Sequence, residues 1–335
     1  MGRPAALRAI NRAQILKRVL REGALSRSEL AERTEISSVT VTYIVNDLLE
    51  EGVLSEMGRT EGSSGRPAQK VDLNPRGGSI LGMDLQPERV LYGVTNARRD
   101  RISYQVRNLM NAKDITQTVL EIVEQHMQQP PETGPVRYLC LAVPAPVNAA
   151  GEVGSPNSLP ELQLADIQHL CQQAGILLKL DNDANLGAQA EQLLGAVRNE
   201  QHFAFLLERP TGIGLGLYLD GQLYRGQRGL AGELALVRWP SNRKAVPMEE
   251  LSGAAQETAL AYMVAGLALT LDLSAVVIHQ DQAPEQSRLQ ERLQGLVTGN
   301  LRVVNSTLGQ NAVVLGALVQ GSELFEQALL ALPEF

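Results

Sequence analysis

Near the start of the chain, apolar residues recur at helical spacing in successive segments. The first apolar stripe predicts an amphipathic helix that ends near Gly23. Ser26 and Glu29 form a capping-box pattern, which predicts a short second helix. Ser37 can cap a third helix that ends at Gly52 and carries one continuous apolar face, formed by Val41, Ile44, Val45, Leu48 and Leu49.

After the third helix, apolar and polar residues alternate in two short segments, 53–56 and 70–73, which predicts a β-hairpin. Three helices followed by a hairpin favour a winged helix-turn-helix over a generic helical domain. The connecting loop carries Arg59 and Arg66. The segment around Arg66, Gly-Arg-Pro, has a shape that can enter a narrow minor groove, and a mobile solvated loop is the alternative interpretation.

The face of the third helix opposite its apolar stripe carries small polar groups and methyl groups. Such a face suits the DNA major groove, where hydroxyl groups meet base edges and methyl groups meet thymine. An ordinary solvated helix face is the alternative. The candidate DNA-binding residues are therefore Arg59 and Arg66 of the loop and, on the helix, Ser38, Val39, Thr40, Thr42 and Tyr43.

From residue 79 onward, apolar strands alternate with helical stretches, which predicts a mixed α/β fold. The segment 74–78 is rich in Gly and Pro and is the predicted junction. We therefore expect a DNA-binding domain over 1–75 and an α/β domain over 76–335, with two lobes around a cleft. The predicted strands are 80–85, 90–95, 138–143, 177–180, 203–207, 213–219 and 276–278, and the predicted helices are 115–128, 162–173, 184–194, 254–271, 285–298 and 311–332.

The net charge of −7 is unevenly distributed along the 335 residues. Residues 1–70 contain 11 basic and 9 acidic side chains, so this segment is +2 and the remainder is −9. Only the N-terminal segment is therefore suited to a polyanion. With 44% hydrophobic and 20% charged residues, the composition excludes wholesale disorder.

Membrane, redox and metal chemistry receive little support from the sequence. It shows neither a run of about 18 uncharged apolar residues nor a signal-peptide pattern, so we expect a cytoplasmic protein. Cys140 and Cys171 lack C-x-x-C spacing and are expected to be buried, reduced thiols. The four histidines are too scattered for a local zinc signature.

A polar cluster, Asp181, Asn182 and Asp183, follows an apolar strand and opens a helix. Ligands commonly bind at this position in α/β proteins, and a carboxylate there could orient or deprotonate a hydroxyl group. A cluster that merely caps the helix is the alternative.

Other polar segments also invite a chemical interpretation. The glycine-rich segment 211–216 could cradle phosphate, although a plain turn is the more ordinary interpretation. The loop 155–160 offers the amide of Asn157, and the segment 225–233 ends in the carboxylate of Glu233.

In their order along the chain, these segments resemble the ROK family of repressors, open reading frames and sugar kinases, specifically its transcriptional-repressor branch. Residues 12–73 resemble the winged helix-turn-helix of that branch, and further family motifs match 81–84, 142–147, 182–185, 211–216, 231–233 and 308–312. The resemblance implies an actin-like, ribonuclease-H-like pair of lobes with a sugar in the cleft, and dimers or larger oligomers. By position it implies sugar contacts from Asn157, Asn182, Asp183 and Glu233, and Asp183 resembles the general base of the kinases.

Several positions depart from the family's kinases. The ATP-phosphate motif D-x-G-x-T reads Asp-Leu-Gln-Pro-Glu at 84–88, which places bulk, a fixed ring and a negative charge where phosphate needs bare backbone and a hydroxyl group. His279 and Gln280 replace a glycine pair, and Pro210 removes one backbone N–H. We therefore expect no ATP binding and no kinase activity.

The family's structural zinc site is expected to be absent as well. It needs a histidine three residues after Glu233, where this chain has Leu236, and no cysteine follows Cys171. In the family, the metal loop also orders a glutamate that contacts the sugar. Glu249 and Glu250 are both candidates for that role, and the spacing does not decide between them. We expect no cofactor.

The sequence therefore predicts a sequence-specific DNA-binding transcriptional regulator, by default a repressor of sugar-related genes, whose ROK-like domain senses a sugar or sugar derivative. The expected partners are a double-stranded DNA operator, that effector, and further copies of the chain in a homodimer or tetramer. Two alternatives stay open: a ROK-type sugar kinase with an accessory DNA-binding domain, and a ligand-blind regulator controlled by a protein partner.

Overall fold

A computed structural model describes residues 3–57, 69–210, 212–241, 244–281, 288–297 and 299–331 of the chain. The N-terminal elements are α1 (Arg3–Glu22), β1 (Leu25–Ser26), α2 (Arg27–Thr34), α3 (Ser38–Glu50), β2 (Leu54–Met57) and β3 (Lys70–Leu73). The strands form an antiparallel sheet in the order β1-β3-β2, packed on the apolar faces of the helices. The three predicted helices and the predicted hairpin are thereby confirmed.

The first lobe of the α/β part contains a mixed sheet between helices. Its elements are β4 (Ser79–Gln86), β5 (Arg89–Asn96), β6 (Ser103–Asn108), α4 (Ile115–Gln128), β7 (Val136–Val143), α5 (Leu164–Ala174), β8 (Leu177–Asn182) and α6 (Asp183–Leu194). The strand order is β6-β5-β4-β7-β8. Strands β4, β7 and β8 are parallel to one another, and β5 is antiparallel to both of its neighbours, β4 and β6. Helices α4 and α5 cover one face with a continuous apolar core.

The second lobe repeats this plan. Its elements are β9 (Phe203–Arg209), β10 (Gly212–Leu219), β11 (Gln222–Leu223), β12 (Arg238–Ser241), β13 (Lys244–Pro247), α7 (Gly253–Thr270), β14 (Ala275–Gln280), α8 (Arg288–Leu296), β15 (Arg302–Asn305) and α9 (Ala312–Leu330). The five-stranded sheet has the order β11-β10-β9-β14-β15, and β12 and β13 form a separate hairpin. Helices α7 and α8 cover the outer face.

Helices α6 and α9 lie between the two sheets and join the lobes. They pack against each other, α6 also contacts β9 and β10, and α9 contacts β4, β5 and β7. The segment Gly309–Leu330 is long and apolar enough to cross a membrane. Its most apolar stretch of 18 residues has a mean hydropathy of 1.2, and 56% of that stretch is buried in the protein. Its contacts with both lobes explain this apolar character, because a helix packed on several sides needs apolar residues around its circumference.

The predicted mixed α/β class is confirmed, and each predicted strand and helix of this part corresponds to an element of the structure. The sequence analysis missed β6, β12, β13 and β15, together with the two-residue strands β1 and β11. Strand β6 is an exposed edge strand, so its sequence lacks the continuous apolar run that identifies the buried strands. The two-residue strands β1 and β11 are too short to show a period.

The N-terminal part, residues 3–73, and the first lobe are in direct contact. Arg98, just after β5, donates hydrogen bonds to the carbonyl oxygens of Val19 (2.8 Å) and Leu20 (2.9 Å) at the end of α1, and it pairs with Asp72 of β3. Leu329, in the last turn of α9, packs on the same N-terminal core, as do Ala97 and Leu330. The N-terminal part is thus attached to the helix that joins the two lobes.

Candidate functional site

Helix α3 presents an exposed face formed by the residues that the sequence analysis singled out. Val39 and Tyr43 are 67% and 69% exposed, Ser38 and Thr42 are exposed, and Thr40 is half-buried. Exposed methyl, ring and hydroxyl groups are thus presented together on one side of the helix, where they can meet base edges and thymine methyl groups. The face therefore has the shape and chemistry of a surface that enters a groove.

Capping and packing hold α3 in place. The Ser37 hydroxyl accepts a hydrogen bond from the Thr40 N–H at 3.2 Å, and the apolar face of the helix is buried in the N-terminal core. On the preceding helix, the capping box between Ser26 and Glu29 is formed in both directions. These contacts fix α3 before any ligand binds. The predicted DNA contacts Arg59 and Arg66 lie outside the described residues.

A cleft between the lobes brings together three of the predicted sugar contacts. Asn182 and Asp183 reach it from the junction of β8 and α6, and Glu233 reaches it from the segment after β11. Among the described residues, no lysine, arginine or histidine lines this cleft. Its lining residues are Pro144, Ala145, Pro156, Ser158, Asn182, Asp183, Leu207, Gly212, Ile213, Gly214, Glu233, Ala235 and Glu249.

Asn182 both caps α6 and lines the cleft. Its Oδ1 accepts from the Asn185 N–H (3.1 Å), and its Nδ2 donates to the Ala145 carbonyl (3.1 Å). The helix-capping interpretation of the polar cluster is therefore correct for Asn182, and it is compatible with a place in the cleft. The neighbouring Asp181 turns the other way, because its buried carboxylate accepts from Gln320 of α9 at 2.7 Å and pairs with Arg225.

Asp183 is held by bonds to both carboxylate oxygens. Its Oδ1 accepts from the Ala184 N–H at 2.8 Å, and its Oδ2 accepts from the Arg209 guanidinium at 3.3 Å. Burial raises the pKa of Asp183 to about 6, against the opposing effect of Arg209. The side chain is therefore a fixed, predominantly ionised acceptor at neutral pH.

Glu233 is placed in the cleft by a tight turn against β10. Gly232 has φ +85°, and a Cβ atom there would lie 1.7 Å from the Leu215 carbonyl oxygen, so only glycine fits. Burial, together with the charge of Asp183, raises the pKa of Glu233 to about 7. No hydrogen-bond donor reaches the Glu233 carboxylate from the described part of the chain, so this group is available to a ligand.

Asn157 and the two alternative glutamates, Glu249 and Glu250, differ in whether they line the cleft. The Asn157 side chain is exposed, and its Oδ1 accepts from the Leu159 N–H at 2.8 Å, so its neighbours Pro156 and Ser158 line the cleft while Asn157 does not. Glu249, in a 3-10 turn before α7, lines the cleft, and Glu250 is not among the lining residues.

Sequence reasoning missed the buried cation of the site, Arg209 at the end of β9. Its side chain is 3% exposed and donates to Asp84 at 3.0 and 2.7 Å as well as to Asp183. A signal was present, because Arg209 stands two residues after the apolar run 203–207 in the same strand, and a buried guanidinium requires carboxylate partners. Local patterns do not reveal which distant carboxylates those partners are.

Residues 212–216 of the glycine-rich segment belong to β10, which runs from Gly212 to Leu219, rather than to a plain turn, and Thr211 lies outside the described residues. A Cβ atom at Gly214 would lie 2.8 Å from the Ala184 Cβ, and one at Gly216 would lie 2.4 Å from the Ala184 carbonyl oxygen. The glycines therefore allow α6 to pack closely on β10.

Where the family's metal loop would follow Glu233, this chain has the β12–β13 hairpin. Leu236 is exposed, and the hairpin is closed by the pairing of Trp239 with Val246 and anchored by the fully buried Met248. In the described ranges, no three His, Cys, Asp or Glu side chains are grouped so that they could hold a metal ion. Backbone pairing and an apolar anchor organise this segment.

Comparisons with known proteins agree with this architecture. Residues 90–243 match the ROK family, and residues 9–55 match a winged helix-turn-helix DNA-binding family. The xylose repressor of Bacillus subtilis (strain 168) is 28% identical over 233 residues, which are 68% of this chain and 60% of the repressor. The match therefore spans less than two thirds of that relative's length.

Solved structures share the fold at low sequence identity. A ROK family transcriptional regulator, described as a homolog of the E. coli MLC protein, superposes with a TM-score of 0.72 at 18% identity and covers 97% of this chain and 98% of its own. The ROK hexokinase from Thermus thermophilus has a TM-score of 0.59 at 22% identity, covering 74% of this chain and 99% of the hexokinase. Regulators and kinases thus share the two-lobed architecture.

Proposed function

We propose that the chain, whose residues 90–243 match the ROK family and whose residues 9–55 match a winged helix-turn-helix family, is a sequence-specific transcriptional repressor whose cleft senses an uncharged sugar. The observation that carries this proposal is the path of α9, which packs against the cleft helix α6 and also contributes Leu329 to the core of the DNA-binding part. One helix thereby contacts both the helix that carries Asp183 and the core that supports α3.

The cleft chemistry supports a sugar as the effector. Asp183 and Glu249 supply carboxylate oxygens, and Glu233 supplies a carboxyl group whose pKa is about 7. These groups accept hydrogen bonds from hydroxyl groups, while they repel phosphate and carboxylate. A free sugar is therefore a better match than a sugar phosphate, and the xylose repressor relative makes D-xylose the first candidate.

The same geometry argues against sugar phosphorylation. The bulky Gln86 and the ring of Pro87 stand where the phosphate motif needs bare backbone, and the Gln86 amide donates to Asp84 at 2.8 Å. We therefore propose that the chain binds neither ATP nor another cofactor and is a regulator rather than an enzyme.

In the proposed mechanism, the effector shifts the population of two arrangements of the lobes. Because α9 and Arg98 connect the lobes to α1 and β3, a change in lobe angle alters the position of α3. In a homodimer or tetramer, this changes the spacing of paired α3 helices and hence their fit to two half-sites. A coupling free energy of about 1–3 kcal/mol is typical of such switches.

Fluorescence anisotropy on the DNA upstream of the gene tests the proposal. The unmodified protein is titrated at fixed salt without effector and with xylose, glucose, N-acetylglucosamine and their phosphates. We expect one free sugar to change the DNA affinity at least about fivefold, corresponding to about 1 kcal/mol. In Asp183→Asn, the sugar concentration needed should rise about 10- to 100-fold, since a hydrogen bond to a charged group contributes about 1.5–3 kcal/mol.

The matched control is Asp166→Asn, which changes an exposed aspartate of α5 outside the cleft and should respond to the sugar like the unmodified protein. DNA binding that no sugar alters would reject the sensing role and favour control by a protein partner. ATP-dependent phosphorylation of any sugar in the panel would reject the assignment as a regulator without kinase activity.

A further inference from the structure

Behind Asp183, at the inner end of the cleft, lies the guanidinium of Arg209. This side chain comes from β9 in the second lobe, and two of its carboxylate partners, Asp84 of β4 and Asp183 of α6, belong to the first lobe. Its Nε lies 3.7 Å from a carboxylate oxygen of Asp281, beyond hydrogen-bond distance, and has no hydrogen-bond partner among the described residues. A single buried cation therefore bridges the two lobes.

The surrounding groups are organised around that cation. The Gln86 amide fixes Asp84, while His279 lies 3.0 Å from Asp281 and Arg89 lies 3.4 Å from it. The Arg89–Asp281 pair is a second link from the first lobe to the second. Asp84 receives both N–H groups of the guanidinium fork, a bidentate geometry that a spherical metal ion would not reproduce.

We propose that Arg209 is the specificity-determining and positioning residue of the cleft. Its guanidinium takes the place that a metal-bound phosphate group would need between Asp84 and Asp183, and it fixes the Asp183 carboxylate in the orientation that meets the ligand. The cleft consequently excludes magnesium nucleotides and accepts an uncharged ligand. The exclusion of nucleotides gives a structural cause for the proposed absence of ATP binding, and the uncharged ligand rests on the proposed sensing role.

Chemical rescue tests this role. Arg209→Ala should lower the melting temperature and abolish the sugar response, because it leaves the carboxylates unpaired and their guanidinium-sized site empty. Millimolar guanidinium chloride, below concentrations that unfold the unmodified protein, should restore part of the melting temperature, while equal NaCl should not. Arg209→Lys should recover part of it without added guanidinium. The control is Arg302→Ala, which removes a half-exposed guanidinium bonded to Glu200 outside the cleft and should show no rescue.

A second measurement uses the unmodified protein and does not depend on how the variants fold. Magnesium with a non-hydrolysable ATP analogue should leave its melting temperature unchanged, and a saturable increase would overturn the proposal. Equal responses of Arg209→Ala to guanidinium and to NaCl would also overturn it. If guanidinium rescues the variant but no sugar alters DNA binding by the unmodified protein, the role of Arg209 stands and the proposed effector is wrong.

Discussion

The Gln320 amide donates a hydrogen bond to the Asp181 carboxylate across 2.7 Å, and this bond joins α9 to the strand that ends in the cleft. The other end of the same amide accepts from the Cys140 thiol of β7 at 3.2 Å. Both ends of the Gln320 amide are thus used inside the protein, although the residue stands on a largely apolar helix. Such a buried polar contact favours one register of the helix against the sheet.

We predict that Gln320→Met weakens the sugar response more than it weakens DNA binding. Methionine has a similar length but cannot hold Asp181, so α9 loses its polar link to β8. The change in DNA affinity caused by the effector should fall by at least half on a logarithmic scale in the anisotropy titration. Gln290→Met, which removes a 2.9 Å bond to the Val303 carbonyl in the second lobe, is the matched control. Equal effects of both variants would argue against transmission of the sugar signal through the bond between Gln320 and Asp181.

Arg98 should transmit the effect of the sugar from the first lobe to the DNA-binding part. Arg98→Ala removes the bonds to Val19 and Leu20 at the end of α1, so the DNA-binding part should move more independently of the lobes. We expect DNA binding without sugar to change less than about threefold and the sugar effect to be largely lost. The control Arg101→Ala removes an exposed pair with Glu132, for which a contribution of about 0–1 kcal/mol is typical.

Tyr43 is predicted to contact bases or sugar-phosphate groups directly. Tyr43→Ala should lower operator affinity about 5- to 100-fold, because one good base contact contributes about 1–3 kcal/mol, while leaving the melting temperature unchanged. Tyr43→Phe separates the hydroxyl from the ring. Tyr262→Ala serves as control, since this 55% exposed tyrosine lies on α7 of the second lobe. Unaltered operator affinity in Tyr43→Ala would remove α3 from the DNA interface.

Glu233 should make stability depend on pH. Its pKa rises from 4.5 to about 7 on folding, so the folded protein binds the proton more tightly than the unfolded chain. The resulting stability is fully present below pH 4.5 and is lost as pH rises through about 7. Relative to Glu233→Gln, the unmodified protein should therefore become less stable over this range, by at most about 1.4 kcal/mol per pH unit. Urea unfolding of both proteins at several pH values measures the difference, and a constant difference would contradict the prediction.

Gly216→Ala should disturb the packing of β10 on α6 and lower the free energy of unfolding. The added methyl group would lie 2.4 Å from the Ala184 carbonyl oxygen, which is part of the helix backbone and cannot move aside cheaply. A loss of about 1–3 kcal/mol is expected from such overpacking. Gly266→Ala on α7 is the control, because no other atom lies within 4 Å of the place its added methyl group would take, and it should be neutral or raise stability by up to about 1 kcal/mol. Equal unfolding midpoints for the two variants would be inconsistent with this packing.

The sequence was sufficient to predict elements with a clear period and caps with a local signature. The Ser26–Glu29 box and the apolar face ending at Leu48 depend on residues a few positions apart, so the pattern and the structure agree. Edge strand β6 has a weaker signal. Tyr104 and Val106 alternate with polar residues, but both are exposed, and the sequence analysis relied on the longer apolar runs of the buried strands.

The candidate site could be predicted only in part for the same reason. Asn182 and Asp183 were found because they stand together at a strand–helix junction, a local feature. The bond from Arg209 to Asp84 joins residues that are 125 positions apart, and no spacing rule connects them. Likewise, the choice between Glu249 and Glu250 depends on the phase of one short 3-10 turn, which the structure supplies and the sequence does not.

The contact of Leu329 and Leu330 with the N-terminal core has a consequence for biosynthesis. The helices of the DNA-binding part leave the ribosome first, yet the apolar surface on which these leucines pack stays uncovered until the end of α9 has been translated. Completion of the core that supports α3 is therefore postponed until both lobes can fold. A nascent or prematurely terminated chain would lack this support and should compete poorly for the operator.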